Sequence, residues 1–193
     1  MPLFAQLRLG ILAGPHSASV QESNQLPGWD TATSPFYSNR SGFHAGFLAE
    51  MPIGTQGHWY FQPGLMYMSK GRKYFRAYDS AAAQATDTVS VGHNFFVNYI
   101  EMPLNLAYKI RLSRKTSFVL SAGPYLSFFY NGTLSTESRT FTDNTYSKDE
   151  TNLEVGRAAN KVKTLDLGWN ARAGFDFGTV FLTGFFSQGL SSF

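Results

Sequence analysis

Four histidines are the side chains of this 193-residue chain best suited to act as general bases or metal ligands. They are His16, His44, His58 and His93. His16 precedes Ser17, and Glu22 follows nearby, so the three side-chain types of a serine hydrolase triad occur close together. Adjacent residues on a strand point to opposite faces, and His16 and Ser17 fall in a predicted loop whose geometry the sequence does not define, so the triad signal is weak. We therefore predict no catalytic residues and no enzyme.

Other forms of site chemistry receive no support from the spacing of residues. The histidines show neither an HxH nor an HExxH pattern, and the chain contains no Cys, so we predict no metal site. No glycine-rich phosphate loop occurs, so we predict no bound cofactor. The net charge is only +3, and Lys and Arg form no dense cluster. This charge pattern argues against a nucleic-acid partner.

The charged residues instead occupy alternate positions, and residues 164–177 (TLDLGWNARAGFDF) give the clearest example. One set of alternate positions is apolar throughout: Leu165, Leu167, Trp169, Ala171, Ala173, Phe175 and Phe177. The other set contains Asp166, Arg172 and Asp176. Because successive side chains of a strand point to opposite faces, a strand places these three charges on one face.

Six further segments have the period of a strand: residues 5–13, 42–51, 59–70, 99–110, 117–130 and 179–190. The faces of the last segment cannot be assigned from the pattern. Most of the seven segments span 9 to 14 residues, whereas strands in soluble sheets most often have about 5–6. A tilted strand that crosses a membrane needs about 9–11 residues. The lengths therefore favour transmembrane strands.

The connections alternate strictly between long and short. Long polar connections are expected at about residues 14–41, 71–93 and 131–162, and short turns at Pro52–Gly57, Arg111–Lys115 and Gly178. Long external loops and short periplasmic turns are typical of an outer-membrane barrel. The sequence thus predicts an all-β, antiparallel, up-and-down transmembrane β-barrel, formed by residues 1–193 as a single domain.

Both ends of the chain carry an expectation of their own. Bacterial single-chain barrels have an even number of strands, so seven strands indicate an eight-stranded type whose last strand is missing from this chain. The first residues, MPLFAQLRLGILAG, lack the basic start and long apolar stretch of a signal peptide. We therefore expect the export signal to be absent from this chain.

Four of the strand segments resemble the PorT-like outer-membrane β-barrel family of Bacteroidetes. They are FQPGLMYMSKGRK (61–73), YIEMPLNLAYKI (99–110), SAGPYLSFFYNG (121–132) and DLGWNARAGFDF (166–177), the last together with FSQGL (186–190). The resemblance implies an eight-stranded barrel in the bacterial outer membrane. A few members of that family are implicated in protein secretion or surface assembly. From the predicted fold we expect a non-enzymatic structural, anchoring or surface-interaction subunit.

Eight polar residues are predicted to form a network inside the barrel: Arg8, His44, Glu50, Glu101, Lys109, Asp166, Arg172 and Asp176. An eight-stranded barrel has an interior just wide enough for side chains to fill it. We expect the charges to pair, because an unpaired buried charge is costly. A narrow conduit or a proton-linked gate is the alternative interpretation.

A second alternative concerns the face of the strands opposite the charged residues. It carries aromatic residues near the strand ends, as the aromatic girdles of a membrane barrel do: Trp59, Tyr67, Tyr108, Tyr130, Trp169 and Phe177. If the faces were inverted, the chain would be a soluble, lipocalin-like barrel with an apolar ligand inside. Period alone does not separate the two arrangements.

The long connections are the predicted contact surface. Tyr74, Phe75, Arg76 and Tyr78 place aromatic and basic side chains in an otherwise polar region. Such residues are enriched in binding interfaces. We expect them to contact lipopolysaccharide or a partner protein.

Overall fold

The computed structural model describes residues 7–19, 34–55, 57–77, 88–140, 145–156 and 164–190. These residues form eight β-strands and one short 3-10 turn, Ser34–Phe36. In chain order the strands are β1 (Arg8–Ala18), β2 (Tyr37–Ile53), β3 (Trp59–Ala77), β4 (Thr88–Arg111), β5 (Ser117–Thr140), β6 (Tyr146–Asn152), β7 (Leu165–Asp176) and β8 (Phe181–Gly189).

Seven of the strands form one antiparallel meander. The spatial order is β1-β2-β3-β4-β5-β7-β8, with β6 paired to β5 beside this path. β5 holds two partners because it is long: Ser117–Phe128 pairs with β7, and Thr133–Arg139 pairs with β6. The up-and-down antiparallel sheet predicted from the sequence is confirmed.

The sheet curves into a half-barrel with β1 and β8 as its edge strands. In the part of the chain that the structure describes, no backbone pairing joins these two edges. Interior side chains nevertheless connect the two sides: Arg8 Nη1 lies 2.8 Å from Asp176 Oδ2, and the His44 and Phe185 rings are 4.7 Å apart. These contacts hold the two ends of the sheet together from inside.

Burial alternates along the strands in the order that the sequence predicts. On β7, Leu167 is 48% exposed, whereas its neighbour Asp166 is only 6% exposed. β1 alternates in the same way, with Leu9 and Ile11 pointing outward. The apolar face is therefore the outer surface and the charged face is the interior. A lipocalin-like barrel would have the reverse arrangement, so that alternative is wrong.

Aromatic side chains of the outer face gather at two levels. Near the short turns, the rings of Trp59 and Tyr108 lie 4.8 Å apart. Towards the long connections, the rings of Tyr67 and Tyr130 lie 6.5 Å apart. Trp59 and Tyr67 are eight residues apart on β3, which corresponds to roughly 26 Å along the strand. A strand tilted by about 40° rises about 20 Å over that length, so both levels fall within the apolar band of a membrane barrel, which is about 25 Å tall.

The structure also assigns the faces of β8, which the sequence pattern left open. Phe181, Thr183 and Phe185 are half-buried and point inward, whereas Leu182 and Phe186 are exposed on the outer face.

At the turn before β8, Gly178 has a positive φ of 90°, and its N–H donates to Asp176 Oδ1 at 2.8 Å. Glycine is favoured in that backbone conformation because it has no Cβ.

The predicted limits of the long connections are wrong, because strands continue into all three. β1 extends to Ala18 and β2 begins at Tyr37, while β3 extends to Ala77 and β4 begins at Thr88. β5 extends to Thr140, and β6 lies wholly inside the third predicted connection. Beyond the apolar band, a strand can carry polar residues on both faces, so the alternation that reveals a strand is lost.

Among the described residues there is no helix long and apolar enough to cross a membrane.

Candidate functional site

The candidate site is the polar interior of the half-barrel, and alternation along the strands determines which side chains reach it. The structure places all eight predicted residues on the inner face: Arg8, His44, Glu50, Glu101, Lys109, Asp166, Arg172 and Asp176. They do not form one network. They divide between two separate clusters and a middle region.

The first group, the turn-end cluster, consists of Arg8, Glu50, Lys109 and Asp176, close to the short turns. Lys109 Nζ lies 2.6 Å from both Glu50 Oε1 and Asp176 Oδ2. Arg8 Nη1 lies 3.2 Å from Glu50 Oε1 and 2.8 Å from Asp176 Oδ2. Each of the two cations thus contacts both carboxylates, so the formal charges within the turn-end cluster sum to zero.

Neutral side chains complete the turn-end cluster. Gln62 Nε2 donates to Glu50 Oε2 at 2.8 Å, and Arg8 donates to the backbone oxygen of Gly178. Lys109 Nζ lies 4.6 Å from the centre of the Tyr60 ring. Desolvating charges costs several kcal/mol per ion, and further hydrogen bonds are what offset that cost. The cluster joins β1, β2, β4 and β7, so it connects both ends of the sheet.

The second group, the loop-end cluster, consists of Lys70, Glu101, Asp166 and Tyr125, towards the long connections. Lys70 Nζ lies 3.0 Å from Glu101 Oε2 and 3.4 Å from Asp166 Oδ2. Tyr125 donates its hydroxyl to Asp166 Oδ2 at 3.1 Å, and Ser127 donates to Glu101 Oε2 at 3.0 Å. One cation therefore serves two carboxylates, and two hydroxyls supply the remaining hydrogen bonds.

The sequence prediction did not include Lys70 in the network, although the residue carries the only positive charge of the loop-end cluster. The signal was present in the pattern: Lys70 lies on the same face of β3 as Gln62 and Met66. Tyr125 was also on the inner face by alternation.

The middle region contains amides and histidines. Asn105 Nδ2 donates to Asn170 Oδ1 at 2.8 Å. His16 and His44 face each other with their Nδ1 atoms 3.3 Å apart, and His16 Nε2 lies 2.7 Å from the backbone oxygen of Ser69. His16 was predicted to lie in a loop, but it belongs to β1 and points inward. Phe185 packs edge-on against the His44 ring.

An apolar group closes the interior above the loop-end cluster. Val97 and Tyr99 are both fully buried, and three half-buried side chains pack against them: Phe95, Phe129 and Leu153. Leu153 follows β6, and its N–H donates to the backbone oxygen of Gly132 at 2.9 Å. The sequence did not predict this group because Leu153 fell within a predicted loop.

The predicted contact surface is not a loop surface. Tyr74, Phe75 and Arg76 belong to β3, and Tyr78 lies outside the described residues. Strand alternation separates them: Phe75 is 62% exposed on the outer face, whereas the Tyr74 ring lies 5.0 Å from the ring of Tyr37. These residues therefore cannot act as one continuous patch.

Arginines lie over aromatic rings in the same part of the sheet. Arg72 lies 4.3 Å from the centre of the Tyr37 ring, and Arg40 lies 4.0 Å from that of Phe96. Arg40 also donates to Asn94 Oδ1 at 3.0 Å. These contacts orient basic side chains at the end of the half-barrel that carries the long connections.

The four histidines lie apart, except for the pair in the middle region. His58 Nδ1 contacts the backbone oxygen of Lys109 at 3.1 Å, and His93 Nδ1 contacts Thr136 Oγ1 at 3.1 Å. Within the described ranges, no three or more His, Cys, Asp or Glu side chains are grouped so as to hold a metal ion.

Comparison with known proteins agrees with this architecture. No curated protein and no solved structure matches the chain. The family model described as "Outer membrane protein beta-barrel domain" matches residues 4–193, which is nearly the full length. The chain therefore belongs to the outer-membrane protein β-barrel domain family, and that membership implies a location in the bacterial outer membrane.

Proposed function

We propose that this protein is a non-enzymatic, PorT-like barrel that anchors a β-sheet surface outside the outer membrane for interaction with a partner. The length of the central strands carries the proposal. β4 and β5 each contain 24 residues, whereas a strand needs about 9–11 residues to cross the membrane. The excess lies on the side of the long connections, which is the external side in outer-membrane barrels.

The filled interior supports an anchoring role rather than a conduit. Lys109 and Glu50 are buried in the turn-end cluster, and Val97 and Tyr99 are fully buried at the other end. A salt-bridged cluster and an apolar group thus occupy successive levels of the interior. Small barrels are filled by side chains in this way.

Basic and aromatic side chains on the external sheet favour a partner with acidic groups. Lys73 and Phe75 are exposed on the outer face of β3, and Arg40 is held over Phe96 nearby. Aromatic residues and arginine are enriched at protein interfaces, and cations also attract lipopolysaccharide phosphates. We place a partner protein first, as a subunit of a secretion or surface-assembly complex.

Site-specific photo-cross-linking in living cells tests this proposal. A photoreactive residue at position 75 replaces Phe75, which is 62% exposed. We expect a discrete protein adduct of defined size. The matched control is position 112, where Leu112 is 58% exposed in a short turn at the opposite end; it should not give that adduct. A lipopolysaccharide adduct alone, or the same adduct from both positions, would contradict a protein partner at the external sheet.

A further inference from the structure

Arg172 differs from Arg8, Lys70 and Lys109 of the barrel interior because no carboxylate of the described residues contacts it. It points inward from β7, four residues before Asp176 and six after Asp166. Lys70 and Lys109 each contact two carboxylates. Among the residues that the structure describes, Arg172 forms neither a hydrogen bond nor an ion pair.

The carboxylates of the interior are already engaged elsewhere. Glu50 and Asp176 are neutralised by Lys109 and Arg8 in the turn-end cluster. In the loop-end cluster, Glu101 acts electrostatically on Arg172, but its carboxylate is bonded to Lys70 and Ser127. Within the described part of the chain, the charge of Arg172 therefore has no counterion in contact with it.

Two serine hydroxyls near Arg172 also lack partners. Ser121 lies directly opposite Arg172 in the β5–β7 register, is 5% exposed, and its buried Oγ has no hydrogen-bond partner. Ser187 lies opposite Asn170 on β8, and its buried Oγ has no partner either. A buried hydroxyl without an acceptor is costly, so each of these hydroxyls has an unused O–H donor for a ligand that accepts hydrogen bonds.

The charged and titratable groups around Arg172 favour an anion over a cation as the ligand. From β7, Arg172 brings a full positive charge, and it acts electrostatically on His44 of β2. His44 is in turn paired with His16 of β1, and Phe185 of β8 packs against both rings. The nearest acidic influence is Glu101 of β4, which Lys70 of β3 already binds. A metal ion would be repelled by Arg172 at this position.

We propose that the Arg172 guanidinium and the Ser121 hydroxyl form a binding site for a small inorganic anion, of the size of chloride, in the middle of the barrel interior. The guanidinium offers several N–H donors in a fixed plane, and the hydroxyl adds an O–H donor from the neighbouring strand. The anion supplies the missing counterion and accepts a hydrogen bond from the Ser121 hydroxyl. This site is separate from the external sheet and does not depend on its partner.

The test measures the midpoint of thermal unfolding of the full chain in detergent micelles, in sodium chloride and in sodium gluconate at equal ionic strength. Gluconate is a much larger anion than chloride and serves as the comparison anion. For the unsubstituted protein we expect chloride to raise the midpoint by about 2–4 °C, because a ligand that binds only the folded state stabilises it. Arg172→Met should abolish the difference between the two salts. Arg111→Met, at the exposed last residue of β4, should leave it unchanged.

Two further measurements keep the test decisive. In gluconate, Arg172→Met should be at least as stable as the unsubstituted protein, because an uncompensated charge has been removed. Should that variant fail to fold, Ser121→Ala replaces it and should weaken the chloride response. Line broadening of the ³⁵Cl resonance by the unsubstituted protein, lost in the variant, reports binding directly. An equal response to chloride with and without Arg172, or no broadening, would overturn the proposal.

Discussion

The two charged clusters of the interior differ in how they balance charge. The turn-end cluster sets two cations against two carboxylates, with Lys109 at 2.6 Å from each carboxylate. The loop-end cluster sets Lys70 alone against two carboxylates and relies on the hydroxyls of Tyr125 and Ser127. In the turn-end cluster the two carboxylates are stabilised mainly by two cations. In the loop-end cluster they are stabilised by one cation and two hydroxyl donors. The difference predicts a graded response to substitution.

The largest effect is expected for Lys109→Met. The change leaves Glu50 and Asp176 with Arg8 as their remaining cation, and breaking a buried ion pair by removing one partner costs about 3–5 kcal/mol. The free energy of unfolding from lipid vesicles, measured by urea titration, should fall by that amount. Ile110→Met, at the adjacent outward-facing position, is the matched control and should change it little. A loss of similar size in both variants would contradict the buried pairing.

A smaller loss is expected for Lys70→Met. Glu101 and Asp166 keep the hydroxyls of Ser127 and Tyr125, so the free energy of unfolding should fall by about 2–3 kcal/mol. The same urea titration measures it, and Lys73→Met, an exposed position on β3, serves as control. If Lys70→Met costs more than Lys109→Met, the proposed contrast between the clusters is wrong.

Tyr125→Phe sharpens the comparison within the loop-end cluster. The change removes one hydrogen bond to Asp166 and keeps the ring, so we expect a loss of about 1.5 kcal/mol. Combined with Lys70→Met, it should cost more than the sum of the two single changes, because Asp166 then loses both partners. A double-mutant cycle measures this coupling; strictly additive losses would show that the two groups act independently.

The smallest effect is expected on β6. Lys148 Nζ and Glu150 Oε1 are also 2.6 Å apart, but the two side chains are 45% and 58% exposed. The carboxylate of Glu150 raises the pKa of Lys148, yet exposed ion pairs contribute little to stability because water competes for both charges. Lys148→Ala should therefore leave the unfolding midpoint within experimental error. A loss close to that of Lys109→Met would mean that distance, not burial, determines the strength of these pairs.

The strands within the apolar band could be predicted from sequence, and those outside it could not. Leu165 to Phe177 alternate strictly because one face meets lipid and the other meets the interior. Residues 131–140 of β5 and the whole of β6 carry polar residues on both faces, and they were predicted to be loops. Because both faces of such a strand have similar surroundings, its sequence shows no apolar–polar alternation that would reveal it.

The partners within the site were less predictable than its members. Alternation placed Asp176 and Lys109 on the inner face, but they belong to β7 and β4, which are not adjacent strands. The contact of Arg8 with Asp176 joins residues 168 positions apart. Such contacts depend on how the sheet curves, which no local pattern encodes.

The sequence by itself determined the antiparallel meander and the placement of the eight polar residues on the face opposite the apolar one, because alternation along a strand is a local property. Only the tertiary structure decided that these residues form two clusters, that Lys70 completes one of them, and that Arg172 lies outside both. The reason is geometric: a pair forms only when strand register and curvature bring two side chains to the same height across the interior.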